Sequence, residues 1–173
     1  TAPVQRFEIP LPDDLRLTSF FRHGVALSPD GSTLALVAGK DRNIAPPLPP
    51  KDMRIFLRSL DGHRLRPVEG SEGGYEPFFS PDGRWLGFTK DDQVWKAPVE
   101  GGPPVSLCEA PFSFGATWTD RGQIVLSGGA GRLGIVSEMG GGIRLLETVD
   151  KEAGEVSQRL PFALPGGDLI LYT

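Results

Sequence analysis

Gly74-Tyr75-Glu76-Pro77-Phe78-Phe79-Ser80-Pro81-Asp82-Gly83-Arg84-Trp85-Leu86-Gly87-Phe88 is the stretch from which the rest of the chain can be read. Two short apolar runs, Phe78-Phe79 and Trp85 to Phe88, flank a turn signal. Pro81 presets φ at the second turn position, Asp82 bonds to nearby backbone, and Gly83 accepts the left-handed conformation that closes a hairpin. Apolar and aromatic runs bounded by such turns read as strands.

The signal recurs. Ser28-Pro29-Asp30-Gly31 is a full copy, Thr119-Asp120-Arg121-Gly122 lacks the proline, and Leu164-Pro165-Gly166-Gly167 lacks the aspartate. The glycines Gly31, Gly83, Gly122 and Gly167 are spaced 52, 39 and 45 apart. A second landmark runs out of phase: Leu60-Asp61-Gly62, Val99-Glu100-Gly101 and Met139-Gly140-Gly141, spaced 39 and 40 apart. An insertion over 40–51 explains the long first spacing. Each repeat of about 40 residues then holds four short strands, the size of a propeller blade.

These repeats predict an all-β chain, a β-propeller of four-stranded antiparallel blades that is incomplete, with about three and a half blades. Residues 1–22 form a lead-in with a strand at Phe7-Glu8-Ile9-Pro10. Blade one spans 23–74 with the Pro-rich insertion 40–51, blade two 75–110, blade three 111–149, and the first half of blade four 150–173. Propellers close as rings of about four to eight blades, and fifteen strands do not close one. Either the rest of the ring lies outside this sequence, or a second copy completes it. Two copies would give eight blades, two of them composite, with Phe7–Pro10 of one chain joining the last two strands of the other. The absent initiator methionine and the apolar C-terminal run give the expectation of a piece of something longer.

Composition narrows the classes. The chain has 173 residues with 23 Gly and 17 Pro, and no stretch free of both exceeds 11 residues. Long helices and coiled coils are excluded, as is a transmembrane helix of about 20 apolar residues. The net charge of −4 argues against a nucleic-acid partner. Arg54, Arg58, Arg64 and Arg66 are interleaved with acids and read as a solvated hairpin face. The single cysteine, Cys108, makes no intrachain disulfide, which fits a reducing compartment or an envelope protein without staples.

Chemical motifs are thin, and no catalytic, cofactor-binding or metal residues are assigned. Gly129-Ala130-Gly131-Arg132-Leu133-Gly134 matches a dinucleotide fingerprint but is followed by a strand pattern, so it reads as a loop between strands. His23 and His63 have no metal-ligand spacing. Asp30 and Asp82 could meet a hard cation on one rim, but each is read as bonding its own turn. No G-x-S-x-G elbow is present. The site residues expected are therefore structural turns: Pro29, Asp30, Gly31, Pro81, Asp82, Gly83, Gly122 and Gly167. Pro46-Pro47-Leu48-Pro49-Pro50 has P-x-x-P spacing and is the local feature best suited to reach a partner. Trp85, Trp95 and Trp118 read as packing between neighbouring blades.

The stretch from Gly74 to Phe88, with Gly101-Gly102-Pro103-Pro104-Val105-Ser106-Leu107-Cys108, Trp118 to Gly122 and Leu160 to Pro165, resembles the TolB-type (WD40-like) propeller repeat. Within that group it is most similar to the C-terminal propeller of bacterial membrane-anchored serine/threonine kinases, where a segment like Phe7-Glu8-Ile9-Pro10-Leu11-Pro12 opens the propeller. The resemblance implies a non-catalytic sensor or docking module on the periplasmic or other extracytoplasmic side of a bacterial membrane. Its ligand, protein or small molecule, is not specified. It imports no kinase activity, because no HRD-type loop, DFG triplet or VAIK-like lysine is present. Two other readings stay open: a TolB-like envelope scaffold that docks proteins, and a propeller that gates a serine peptidase.

Overall fold

The structure, a computed structural model of the chain, describes residues 8–17, 23–40, 52–62, 64–111, 113–128, 131–146, 149, 150, 152 and 154–173. The regular elements among these residues are all strands: β1 (Arg16–Leu17), β2 (Val25–Leu27), β3 (Thr33–Gly39), β4 (Arg54–Ser59), β5 (Leu65–Pro67), β6 (Tyr75–Phe79), β7 (Trp85–Lys90), β8 (Gln93–Pro98), β9 (Val105–Glu109), β10 (Ala116–Trp118), β11 (Gln123–Gly128), β12 (Arg132–Ser137), β13 (Arg144–Leu145), β14 (Phe162–Ala163) and β15 (Ile170–Leu171). Among the described residues no helix is long and apolar enough to cross a membrane.

Every pairing among these strands is antiparallel, and the strands fall into successive sheets. Blade one is β2-β3-β4-β5, with β1 pairing the far end of β3. Blade two is β6 to β9, blade three is β10 to β13, and blade four is the pair β14-β15. The chain is thus an incomplete β-propeller of three full blades and part of a fourth.

The lead-in differs from expectation. Phe7 lies outside the described residues, and Glu8, Ile9 and Pro10 belong to no strand. The strand of this region is β1 instead, where Arg16 pairs with Gly39 and Leu17 with Ala38. Pro10 and Pro12 have no N–H to give to a ladder. Ile9, Leu11 and Leu15 rest against Leu34, Leu36 and Ala38 of blade one.

Alternation along each strand gives a blade two greasy faces, one toward the preceding blade (front) and one toward the next (back). Ala35, Val37, Ile55 and Leu57 form the back of blade one and meet Phe79, Leu86, Phe88 and Ala97 on the front of blade two. Phe78, Val94, Leu107 and Cys108 of blade two meet Trp118, Ile124, Leu126 and Val136 on the front of blade three. Neighbouring Phe78 and Phe79 therefore serve different junctions. The Phe78 and Trp118 rings stand 6.2 Å apart at 60°, a tilted aromatic contact. The Phe78 ring also covers Gly87, its register partner on β7, and a Cβ there would come within 2.3 Å of it.

The junction of blades three and four is made differently, largely by hydrogen bonds. Ser127 Oγ donates to Gln158 O at 2.6 Å, the Leu160 amide to Phe114 O at 2.8 Å, and the Gly166 amide to Asp120 Oδ2 at 2.8 Å. Arg121 also pairs with Asp168.

Candidate functional site

The two full turn signals fold alike. At Ser28–Gly31 the Gly31 amide donates to Ser28 O at 2.8 Å, and at Ser80–Gly83 the Gly83 amide donates to Ser80 O at 2.9 Å. Pro29 and Pro81 hold the second position, and Gly31 and Gly83 follow at φ of 72° and 70°. The serine hydroxyls add a second layer. Ser80 Oγ donates to Asp82 Oδ1 at 2.6 Å and accepts from the Trp85 amide at 2.9 Å, while the Arg84 amide donates to Asp82 Oδ1 at 3.0 Å. Ser28, Asp30, Ser32 and Thr33 repeat this network. The Ser28 hydroxyl, then the Ser32 amide, hold the Asp30 carboxyl down from 3.8 to about 2. Ser80 and the Arg84 amide do the same for Asp82, also to about 2. Both carboxylates are thus engaged by their own turns.

The weaker copies close on the same hydrogen bond. The Gly122 amide donates to Thr119 O and the Gly167 amide to Leu164 O. The third turn is one residue tighter, since the Thr119 amide returns to Gln123 O whereas the Ser80 amide returns to Trp85 O.

Between the turns of blades two and three opens a cleft of about 560 Å3. Ser80–Asp82 with Arg84 form one wall, and Thr119, Asp120 and Gly122 the other. Trp85, Lys96, Trp118 and Glu138 line its depth, while Val105 and Met139 lie at its lip, 51% and 81% exposed. Lys96, on β8, holds its ammonium 4.7 Å from the centre of the Trp85 ring and donates to Glu138 O at 2.6 Å. Such a cation–π contact is worth about 0.5–2 kcal/mol. The Trp118 indole donates to Glu138 Oε2 at 2.9 Å. Glu138 therefore ties the blade-three turn to both Lys96 and Trp118. The arrangement presents an apolar lip, an indole face and a fixed cation, features with which a cleft can hold a ligand.

Sequence reading places Trp85 and Trp118 at a blade junction, and the structure adds that both line this cleft. It misses Lys96 and Glu138. The one signal in the sequence is Lys96 itself, a cation inside the otherwise apolar strand Val94-Trp95-Lys96-Ala97. The basic stretch of blade one also departs from expectation. Arg58 is only 6% exposed, on the front face beside Leu34 and Leu65, because alternation on β4 turns it inward. Arg54 pairs with Glu72 at 2.5 Å, and Arg66 donates to Val99 O. His23 is exposed, and His63 lies outside the described residues. The segment Pro46–Pro50 also lies outside them, as do Gly129 and Ala130. After Gly131 comes β12, a strand, where a dinucleotide site would need a helix N-terminus. Burial pushes the Cys108 thiol up to about 11.

A scan against protein-family models found no match. Propellers are among the solved structures that resemble the chain. The putative TolB from Agrobacterium tumefaciens shares 20% identity over 71% of this chain and 48% of that one, with a TM-score of 0.53. The Cps50 (Swd1) β-propeller domain from Myceliophteria thermophila shares 19% over 86% and 47%, with a TM-score of 0.59. The β-propeller domain of the Trilobed protease from Pyrococcus furiosus, described as having an open velcro topology, shares 19% over 82% and 45%, with a TM-score of 0.56. The chain spans about half the length of each. At these identities the likeness establishes the fold: a β-propeller, of the architecture shared by TolB and WD40 proteins.

Proposed function

We propose that the chain is a non-catalytic binding module that holds an extended segment of a protein partner in the cleft between blades two and three. The observation that carries this reading is the cleft itself, where Trp85 and Lys96 lie beside an exposed apolar lip of Val105 and Met139. Hydrophobic contact at the lip would supply affinity, and Lys96 with the Glu138 backbone would fix register. The groups that could do chemistry favour binding over catalysis. Asp30 and Asp82 are occupied by serine hydroxyls, and the Cys108 thiol is buried and held protonated at neutral pH.

The finer reading, a sensor or docking part of a serine/threonine kinase-type receptor outside a bacterial membrane, rests on the resemblance of the repeats. The sequence of the whole gene product separates it from its rivals. A kinase domain and membrane helix upstream support it, a small α/β domain upstream replaces it with a TolB-like scaffold, and a G-x-S-x-G hydrolase downstream replaces it with a peptidase gate.

The test of the cleft is a selection of displayed random peptides against the protein, with titrations followed by tryptophan fluorescence. Selected peptides should shift the emission and lose at least tenfold in affinity against Lys96→Ala and Met139→Glu, a loss of about 1.4 kcal/mol. Peptides that bind both variants as tightly as the unaltered chain would overturn the assignment.

A further inference from the structure

Each of the three full blades carries a row of directly paired side chains across its back, and the two outer members of that row differ. In blade one they are Leu57 on β4 and Arg66 on β5, and in blade three Ile135 on β12 and Arg144 on β13. Blade two reverses the order, with the cation Lys96 on β8 and the apolar Val105 on β9.

The reversal changes the junction. Leu57 is 3% exposed and helps to seal blade one against blade two, while Arg66 reaches from the outer strand to Val99 O. Val99 and Glu138 are equivalent, since their amides go to Arg84 O and Gly122 O of their own blades. Lys96 makes the corresponding reach, to Glu138 O at 2.6 Å, from one strand further in. The apolar seal is given up at that point, and the cleft lies there with Val105 at its lip.

The Lys96 ammonium is left without a counter-charge. It has three N–H donors, of which one goes to Glu138 O, and the Trp85 ring stands 4.7 Å away. Among the described residues no carboxylate pairs with it. Asp82 pairs with Arg84, Asp120 accepts from the Gly166 amide, and Glu138 accepts from the Trp118 indole. A half-buried cation with donors to spare favours an anionic group. Backbone amides beside it are already committed. Those of Trp85, Gly122 and Gly141 go to Ser80 Oγ, Thr119 O and Leu107 O. A chain-terminal carboxylate is captured by a nest of free amides, so the fit here is to an acidic side chain within a segment.

We infer that the cleft selects partner segments in which an Asp or Glu stands two residues from a large apolar residue. The inference rests on the binding role proposed above and gives it a chemical class. In an extended segment alternate side chains share a face and stand about 7 Å apart. The acid meets Lys96, and the apolar side chain covers Val105 and Met139.

The test takes peptides selected from the random display library and makes two altered forms of each. In one the acid becomes the matching amide, and in the other the C-terminus is amidated. Loss of the acid should weaken binding to the unaltered chain about tenfold or more. It should make no difference against Lys96→Leu, which puts in blade two the residue type that blade one carries at Leu57. Amidation of the C-terminus should change nothing. An unchanged far-ultraviolet spectrum for Lys96→Leu shows that the blades remain folded. Peptides weakened by Met139→Glu but indifferent to the loss of their acid overturn this inference and leave the cleft as a binding site. Peptides that need a free C-terminus overturn it too. Peptides indifferent to both Met139→Glu and Lys96→Leu remove the cleft itself, and this inference with it.

Discussion

Phe78 and Phe162 hold the same position in the repeat, on the back of blade two and of blade four. One is 8% exposed and the other 61%. Each stands one residue before the end of an inner strand, and both lie on the back face of their blade. The difference lies in what arrives there. Phe78 meets Trp118 and lies over Gly87, inside a cluster that includes Ile124, Leu126 and Val136. Phe162 joins none of the apolar clusters formed by the described residues. A propeller blade is thus a half-made core, and the same side chain is a keystone or a liability according to its neighbour.

The sharpest way to break this comparison is to truncate both rings. Phe78→Ala should lower stability by about 3–5 kcal/mol, the usual cost of emptying a buried aromatic site. Phe162→Ala should change the stability of an isolated chain by no more than about 0.5 kcal/mol. Urea denaturation of the two variants measures both, and equal losses would show that the blade-four face is covered. The turns that precede and follow these strands give a smaller effect. Gly83 sits at φ of 70°, and a methyl group added there would make only an ordinary contact, with Pro29 Cδ at 3.9 Å. Gly83→Ala should therefore cost about 1–2 kcal/mol through backbone conformation alone. Gly142, with no positive φ and nothing within 4 Å, should tolerate alanine almost freely. An unchanged midpoint for Gly83→Ala would refute the left-handed turn.

The mildest effect is one of pH. The carboxyls of Asp30 and Asp82 titrate at about 2 in the fold, below their ordinary 3.8. A depressed folded value means that the unfolded chain takes up protons first. Their contribution is therefore complete above about pH 4 and fades as the pH falls toward 2. Blade four has Gly166 where these turns have aspartate, so its hairpin lacks this dependence. Asp82→Asn should flatten part of the acid-side decline in the denaturation midpoint. An identical decline in the variant would assign the effect to other carboxylates.

Much of the fold is legible in the residues. Ser80-Pro81-Asp82-Gly83 and its copies carry their own turn chemistry, because proline, a short acid and glycine each restrict the backbone locally. The apolar runs beside them carry the alternation of strands for the same local reason. The lead-in is harder to read. Phe7-Glu8-Ile9-Pro10 has strand-like composition, yet Ile9 is drawn onto Leu34 and Leu36, a contact that depends on a face formed only after blade one has folded. Arg58 likewise reads as a surface charge until the register of β4 turns it inward.

The cleft is a product of packing altogether. Lys96 and Glu138 are far apart along the chain and in different blades, and neither sits in a motif. Their meeting with Trp85 and Trp118 depends on how two sheets stack. The repeat, the turns and the two faces of each strand are written in the order of the residues, since they follow from interactions between near neighbours. Which of those faces are covered, and which side chains gather at a junction, is settled only when the blades come together. Burial is a property of what lies opposite, and no local stretch of residues contains that information.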